Sequence, residues 1–474
     1  MEPIARVAAR SAALSSALLL VACNFTQAGI DPPASTLNFP IAIELSPARD
    51  ASGASRYLVV VSSNFDLRFN SGAIMAIDLA ALDDAIANTN GCPGEDCALW
   101  PLAPMGSSET TDPDSGRPFV RVIADEVGIG SHADGLAFNA AGDRMYLPMR
   151  GESDLTFVPF DAQLGAFRCS QMPRNDDDVL PRCADRFRTG RVDTVGSTRG
   201  LALMGSPTAI STGSFRELGV DIDAEYIVMA LQGGTVALYL DSLDREAGDG
   251  TPELIHVAEG FPATPVTMTV QPGTGVAWIT SVASNVTAAA ERIARVAISA
   301  DPVTPSRSFL YDFGSVRLAD VDDGQDVRDI VFHPSDPTRA FVLTRRPEAV
   351  VELAVDRQGL TQSDIAVTDI WEVGAGPSRI AVLELAGRTY VFASCYDAQR
   401  LFVIDADHGS LVGVVGGFSG PFEIAIDPVT ERLYMTDFAT SVIRIVDLSP
   451  LEMGLSPTVI GTVGRLRPVR GLTN

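Results

Sequence analysis

The stretch GPFEIAIDPVTERLYMTDFATSVIRIVDLSP, residues 420–450, holds three short apolar runs separated by turn residues. The stretch ADGLAFNAAGDRMYLPMRGESDLTFVPFD, residues 133–161, repeats that rhythm with almost none of the same residues. In both, the runs are rich in Val, Ile, Tyr and Phe and are punctuated by Gly, Pro, Asp and Asn, which is the pattern of strands rather than helices.

Seven such units line up along the chain. Their first runs are at 41–43, 136–138, 201–203, 268–270, 330–332, 380–382 and 424–426. Each is followed by a second run, such as RYLVVVSS (56–63) or TYVFASCY (389–396), and then by a third, such as GAIMAIDL (72–79) or SVIRIVDL (441–448). Second runs are apolar without alternation, as a strand covered on both faces requires, whereas third runs alternate more. A fourth run precedes the next unit in several repeats, as in ELIHVAE (253–259) and TVIGTVG (458–464). Each repeat therefore reads as a four-stranded antiparallel meander. One such sheet cannot bury both of its faces, but seven packed radially can. The fold expected over residues 38–464 is all-β, a seven-bladed β-propeller. The last two spacings, 50 and 44 residues, match the ~40–50 residues of a four-stranded blade. The longer ones call for insertions, placed at about 80–118, 162–196 and 204–223. The segment AALDDAIAN in the first is a candidate helical turn.

The unit AIDPVTERLYMTDF…VIRIVDL resembles the YVTN family of bacterial β-propeller repeats, with LYMTD closest to its second-strand motif. That resemblance implies a fold and carries no shared catalytic residues, because propellers host unrelated activities.

The N-terminus lies outside the repeats. Arg6 and Arg10 precede the twelve-residue apolar run SAALSSALLLVA, which ends at Leu20-Val21-Ala22-Cys23. The run is too short for a membrane-spanning helix and suits a signal peptide. Its end resembles the lipobox of bacterial lipoproteins. This implies a leader over 1–22, a lipidated Cys23, a tether over 23–37 and, with Asn24 following, a place at the outer membrane. Residues 465–474 form a C-terminal tail.

Composition bounds the partners. The chain has 474 residues and a formal charge of −25; all 35 basic residues are Arg. Such an acidic protein lacks the basic footprint that nucleic acid needs, and it is expected to touch the membrane only through a lipid. Export makes disulfides available, and Cys92–Cys97 and Cys169–Cys183 are the pairings of shortest span; zinc is the alternative for these cysteines. Cys395, in a strand-like run, reads as a buried apolar residue.

No phosphate-loop, zinc-protease, EF-hand or nucleophile-elbow pattern occurs. His132 beside Asp134, and Asp320, Asp322 and Asp326 around Gly324, are the candidate metal ligands, the latter with Ca²⁺ in view; the bland alternatives are a turn cap and a solvated connection. On one rim, the starts of the innermost strands and the turns between second and third strands gather Asp134, Arg150, Arg199, Arg328, Arg345, Arg379 and Arg400. These arginines either hold an anionic ligand or pair with acids of neighbouring blades. The expected function is a monomeric, non-catalytic binding or scaffolding module for a protein or glycan partner in the cell envelope. The alternative is a lactonase-like hydrolase with a carboxylate or metal site at the axial opening.

Overall fold

The computed structural model describes residues 30–89, 97–170, 180–191, 200–242, 250–282, 293–316, 318, 326–355 and 365–467. Seven antiparallel sheets, each contiguous in sequence, form seven blades numbered here in chain order. The innermost strands are Pro40–Leu45, Ala137–Phe138, Pro207–Ser214, Pro265–Gln271, Val327–Phe332, Pro377–Leu385 and Pro421–Asp427. Blades 3 to 7 are plain four-stranded meanders. Blade 1 adds Leu102–Pro104, parallel to its fourth strand Val120–Ile129, and blade 2 adds the two-residue strand Ala166–Phe167. Among the described residues, no helix is long and apolar enough to cross a membrane.

The second strand of each blade shows why the apolar runs lack alternation. In blade 6, Arg388–Cys395 sends Val391 and Ala393 to the seam with blade 5 and Tyr390 and Phe392 to the seam with blade 7. Successive side chains of a strand point to opposite faces, so a strand between two neighbours is apolar at every position. The buried clusters follow these seams: one spans blades 1 to 3, and the others join blades 3 and 4, 4 and 5, 5 and 6, 6 and 7, and 7 and 1.

Three placements differ from the sequence reading; one is the fourth strand of blade 2, Arg188–Thr189, which lies within the expected insertion 162–196 because it pairs with Leu155 and Thr156 of the third strand. The innermost strand of blade 3 is Pro207–Ser214, not residues 201–203, so most of 204–223 is strand and a 3-10 turn, Phe215–Leu218, rather than insertion. The LAL triplet has the right composition, but Pro207–Ser214 has the length to pair along the whole second strand, Ala224–Leu231. Residues 30–37 are also fixed. Ile30 bridges to Phe69, and Ser35 donates its backbone N–H (2.7 Å) and hydroxyl (3.1 Å) to the Glu126 carboxylate of blade 1. Any free tether therefore ends near residue 30.

Ring closure uses no shared blade. The insertion after the third strand of blade 1 opens with helix α1, Leu79–Asn88, capped by the Asp78 carboxylate, which accepts the Ala81 N–H at 2.9 Å. Its buried Leu79, Leu82 and Ile86 fill the seam between blades 1 and 7 beside Ile443, Ile445 and Val463. Leu99 then donates to the Thr462 carbonyl (2.8 Å) and accepts from the Gly464 N–H (3.0 Å) at the edge of blade 7. On the inner side, the Ser441 hydroxyl accepts the Phe39 N–H at 3.2 Å.

Cys169 and Cys183 are bonded. Cys97 is also in a disulfide, and Cys92, its expected partner, lies outside the described residues, as does Cys23. Cys395 is free and buried.

Candidate functional site: the axial cavity

The register of the innermost strands creates the site. In blades 1, 3, 4, 5, 6 and 7 the pairing slips just after the first residue: between Pro40 and Ala42, Pro207 and Ala209, Pro265 and Met268, Val327 and Asp329, Pro377 and Arg379, Pro421 and Ile424. Such a bulge re-aims a side chain. Here it turns the third residue of each strand to the axis. In blades 4, 6 and 7, a hydroxyl on the second strand accepts the backbone N–H that the bulge frees. These pairs are Thr280 with Thr267 (3.1 Å), Ser394 with Arg379 (3.1 Å) and Thr436 with Glu423 (2.9 Å).

The axial ring is therefore Ala42, Gly135, Ala209, Thr267, Asp329, Arg379 and Glu423, one from each blade. Blades 1 to 3 contribute only small residues, and blades 5 to 7 only charged ones. The difference in size leaves a cavity of about 190 Å³ on the small side. Glu44, two residues below Ala42, and Asp134, just above Gly135, also line it.

The electrostatics are lopsided: four carboxyl groups face one guanidinium. Arg379 Nε donates to Glu423 Oε2 at 2.9 Å, and Asp329 Oδ2 accepts the Ile380 N–H at 3.0 Å. Burial opposes the Arg379 charge, but Glu423 and Asp329 more than offset it and raise its pKa. Burial raises Asp329 and Glu423 above the usual carboxylate range, with Arg379 pulling both back. Asp134 is raised by burial too, against the pull of Arg150. Glu44 is the extreme case. Burial, with the Glu423 charge adding to it, lifts its carboxyl to about 8 although it accepts a hydrogen bond from the Phe138 backbone. Its Oε2 is shut off from solvent and has no hydrogen-bond partner. At neutral pH Glu44 is thus a carboxylic acid in the cavity wall, with Oε2 buried and without a partner.

The structure distributes the expected rim residues as follows. Arg379 is in the ring, and Asp134 lines the cavity while pairing with the half-exposed Arg150 at 3.5 Å. Arg328 pairs with Asp326 at 2.7 Å, and Arg345 of blade 5 with Asp397 of blade 6 at 2.8 Å. Arg400 is exposed and donates to the Gln399 carbonyl at 3.0 Å. Arg199, Asp320 and Asp322 lie outside the described residues. His132 packs its ring against Phe65, with centroids 6.2 Å apart. Among the described residues, no three His, Cys, Asp or Glu side chains are grouped to hold a metal ion.

Sequence reading missed Glu44, Asp329 and Glu423. Asp329 and Glu423 had a signal, since each directly precedes the apolar triplet of its repeat, as Arg379 does. Glu44 had none, because it follows its triplet and enters the cavity only through the shifted register of blade 1.

No family profile matches the chain, and no curated protein matches it. Several solved structures are similar to the chain. A protein of unknown function from Desulfotomaculum acetoxidans is 14% identical, with a TM-score of 0.50 over 87% of this chain and 96% of that one. A provisional 6-phosphogluconolactonase from Bacteroides fragilis is 15% identical, with a TM-score of 0.49 over 77% and 94%. Hydrazine synthase from Kuenenia stuttgartiensis is 10% identical, with a TM-score of 0.47 over 90% and 98%. At these identities the likeness concerns the fold alone.

Proposed function

We propose that this protein is a monomeric, lipid-anchored β-propeller of the bacterial cell envelope that binds a cationic group of a protein or glycan partner in its axial cavity, without catalysis. Cys23 carries the lipid, and the outer membrane is the site of anchoring. The carrying observation is the cavity itself, in which Glu44 Oε2 is buried and unpartnered among an excess of carboxylates. A buried carboxyl keeps its proton because its anion lacks a compensating charge, and an ammonium group of a Lys side chain or an amino sugar supplies that charge and takes the place of the proton. With Arg379 matched by Glu423 and Asp134 by Arg150, the charge of Asp329 is left over and favours a cation over an anion.

The test is titration calorimetry with methylammonium, a short Lys-containing peptide and glucosamine, each against its N-acetylated counterpart. Binding of the free amines, with proton release from Glu44 near pH 7 and loss of that release in Glu44→Gln, is the expected result. Equal heats from amine and acetylated probes would overturn it.

A hydrolytic reading has one observation in its favour: Glu44 stays protonated at neutral pH, as a general acid must. It predicts turnover of a lactone panel that Glu44→Gln abolishes.

A further inference from the structure

On the face of the propeller where the innermost strands begin, three large apolar side chains stand out of the surface together. They are Ile30, 72% exposed, and Phe65 and Leu67, 56% and 65% exposed, from the turn between the second and third strands of blade 1. The turn is held rather than loose. The buried Asn64 carboxamide donates to the Phe69 carbonyl (2.7 Å) and accepts the Phe69 N–H (3.0 Å), and Asn70 N–H donates to the Ile30 carbonyl at 2.9 Å. Behind Phe65 stand Phe39 and Phe438, with ring centroids 6.1 and 5.4 Å from it. Their packing leaves Phe65 facing outward.

The charge around this patch runs against the rest of the molecule. Arg68 is half-exposed beside Leu67, and Arg182 donates to the Asn70 carbonyl at 2.9 Å. Arg467 is hydrogen-bonded to Asn38, and burial lowers its pKa, with the Arg68 charge adding and Asp66 opposing. Against Arg68, Arg182 and Arg467 the patch sets Asp31 and Asp66. A locally basic, apolar surface on a chain of formal charge −25 is what an anionic bilayer surface attracts.

The chain outside the structure identifies the occupant. Ile30 is the first described residue, and it lies seven positions after Cys23, with six residues between them. Fully extended, seven residues reach about 25 Å. A lipid on Cys23 therefore keeps this patch, and not the opposite face, next to the headgroups. We infer that the face bearing Ile30, Phe65 and Leu67 docks on the membrane, so that the opposite face, toward which the Glu44 end of the cavity lies, is presented to partners. The inference rests on the lipid anchor proposed above.

The test uses the mature acylated protein in vesicles of phosphatidylethanolamine and phosphatidylglycerol with brominated acyl chains. An environment-sensitive fluorophore is placed on Leu67→Cys or, on the opposite face, on Val429→Cys, a position 49% exposed in the turn after the innermost strand of blade 7. Mass spectrometry of the N-terminal peptide reports acylation separately. Bromine quenching severalfold stronger at position 67 than at 429 is expected. Equal or reversed quenching on an acylated protein overturns the docking face and leaves the anchor standing. A blue shift at 67 without quenching assigns the patch to a second copy of the chain and likewise overturns the inference. An unmodified Cys23 removes the anchor and the inference together.

Discussion

Replacing Glu44 with Gln should stabilise the protein, and only above a defined pH. In the folded state Glu44 is protonated up to about 8, against 4.5 for the free side chain. A raised carboxyl pKa means that the unfolded chain releases the proton first. Folding stability is therefore intact below about 4.5 and is lost progressively as pH climbs toward 8. At 1.36 kcal/mol per unit, that interval is worth about 5 kcal/mol at most, and access to the cavity brings the figure to about 3–5 kcal/mol. Gln has nearly the shape and hydrogen-bonding capacity of the protonated acid but no titration. Asp134, Asp329 and Glu423 titrate in both proteins and largely cancel in the comparison. With an unfolding entropy of about 0.9 kcal/mol per kelvin for ~440 residues, Glu44→Gln should melt with the parent at pH 4.5 and about 3–5 °C above it at pH 9. Scanning calorimetry at matched scan rates from pH 4.5 to 9 measures this. Parallel curves, or a variant that is less stable at pH 9, would refute the assignment of a buried, protonated Glu44.

Arg379→Met should act in the opposite sense. It strands Glu423 and Asp329 without their cation, at a cost of about 3–5 kcal/mol at pH 7; the loss should shrink at pH 5, where carboxyls with raised pKa take up protons, as urea denaturation at the two pH values will show. Breaking the Cys169–Cys183 disulfide, whose partners are 14 residues apart, should lower stability by about 3 kcal/mol in the loop-closure account, read as a melting point about 3 °C lower in the double Ser variant. Leu99→Pro removes the donor to Thr462, so amide exchange across Thr458–Val463 should accelerate while the outer strands of blades 3 to 6 keep their protection; uniform acceleration would mean that Leu99 does not stitch the ring.

The architecture was legible because every seam asks for the same thing. A second strand covered on both sides must be apolar at each position, so the runs at 56–63 and 389–396 announce their burial whatever their residues. The reading failed where composition and length disagreed, at LAL (201–203), and where an insertion did tertiary work, since nothing in AALDDAIAN says that Leu82 and Ile86 will meet Ile445 of blade 7. The arginines of the rim were visible one by one, but their partners were not. Arg345 meets Asp397 and Arg379 meets Glu423 only because neighbouring blades bring their turns and strand starts together.

The sequence by itself determined the repeat, the number of blades and the antiparallel meander of the blades, because alternation and turn chemistry act over a few residues. Only the closed ring decided the cavity. It brings Glu44, Asp134, Asp329, Arg379 and Glu423, spread over most of the chain, around one axis; the bulges aim the third residue of each strand inward; and the withdrawal of water, a property of the assembled wall and of no single residue, holds the proton on Glu44.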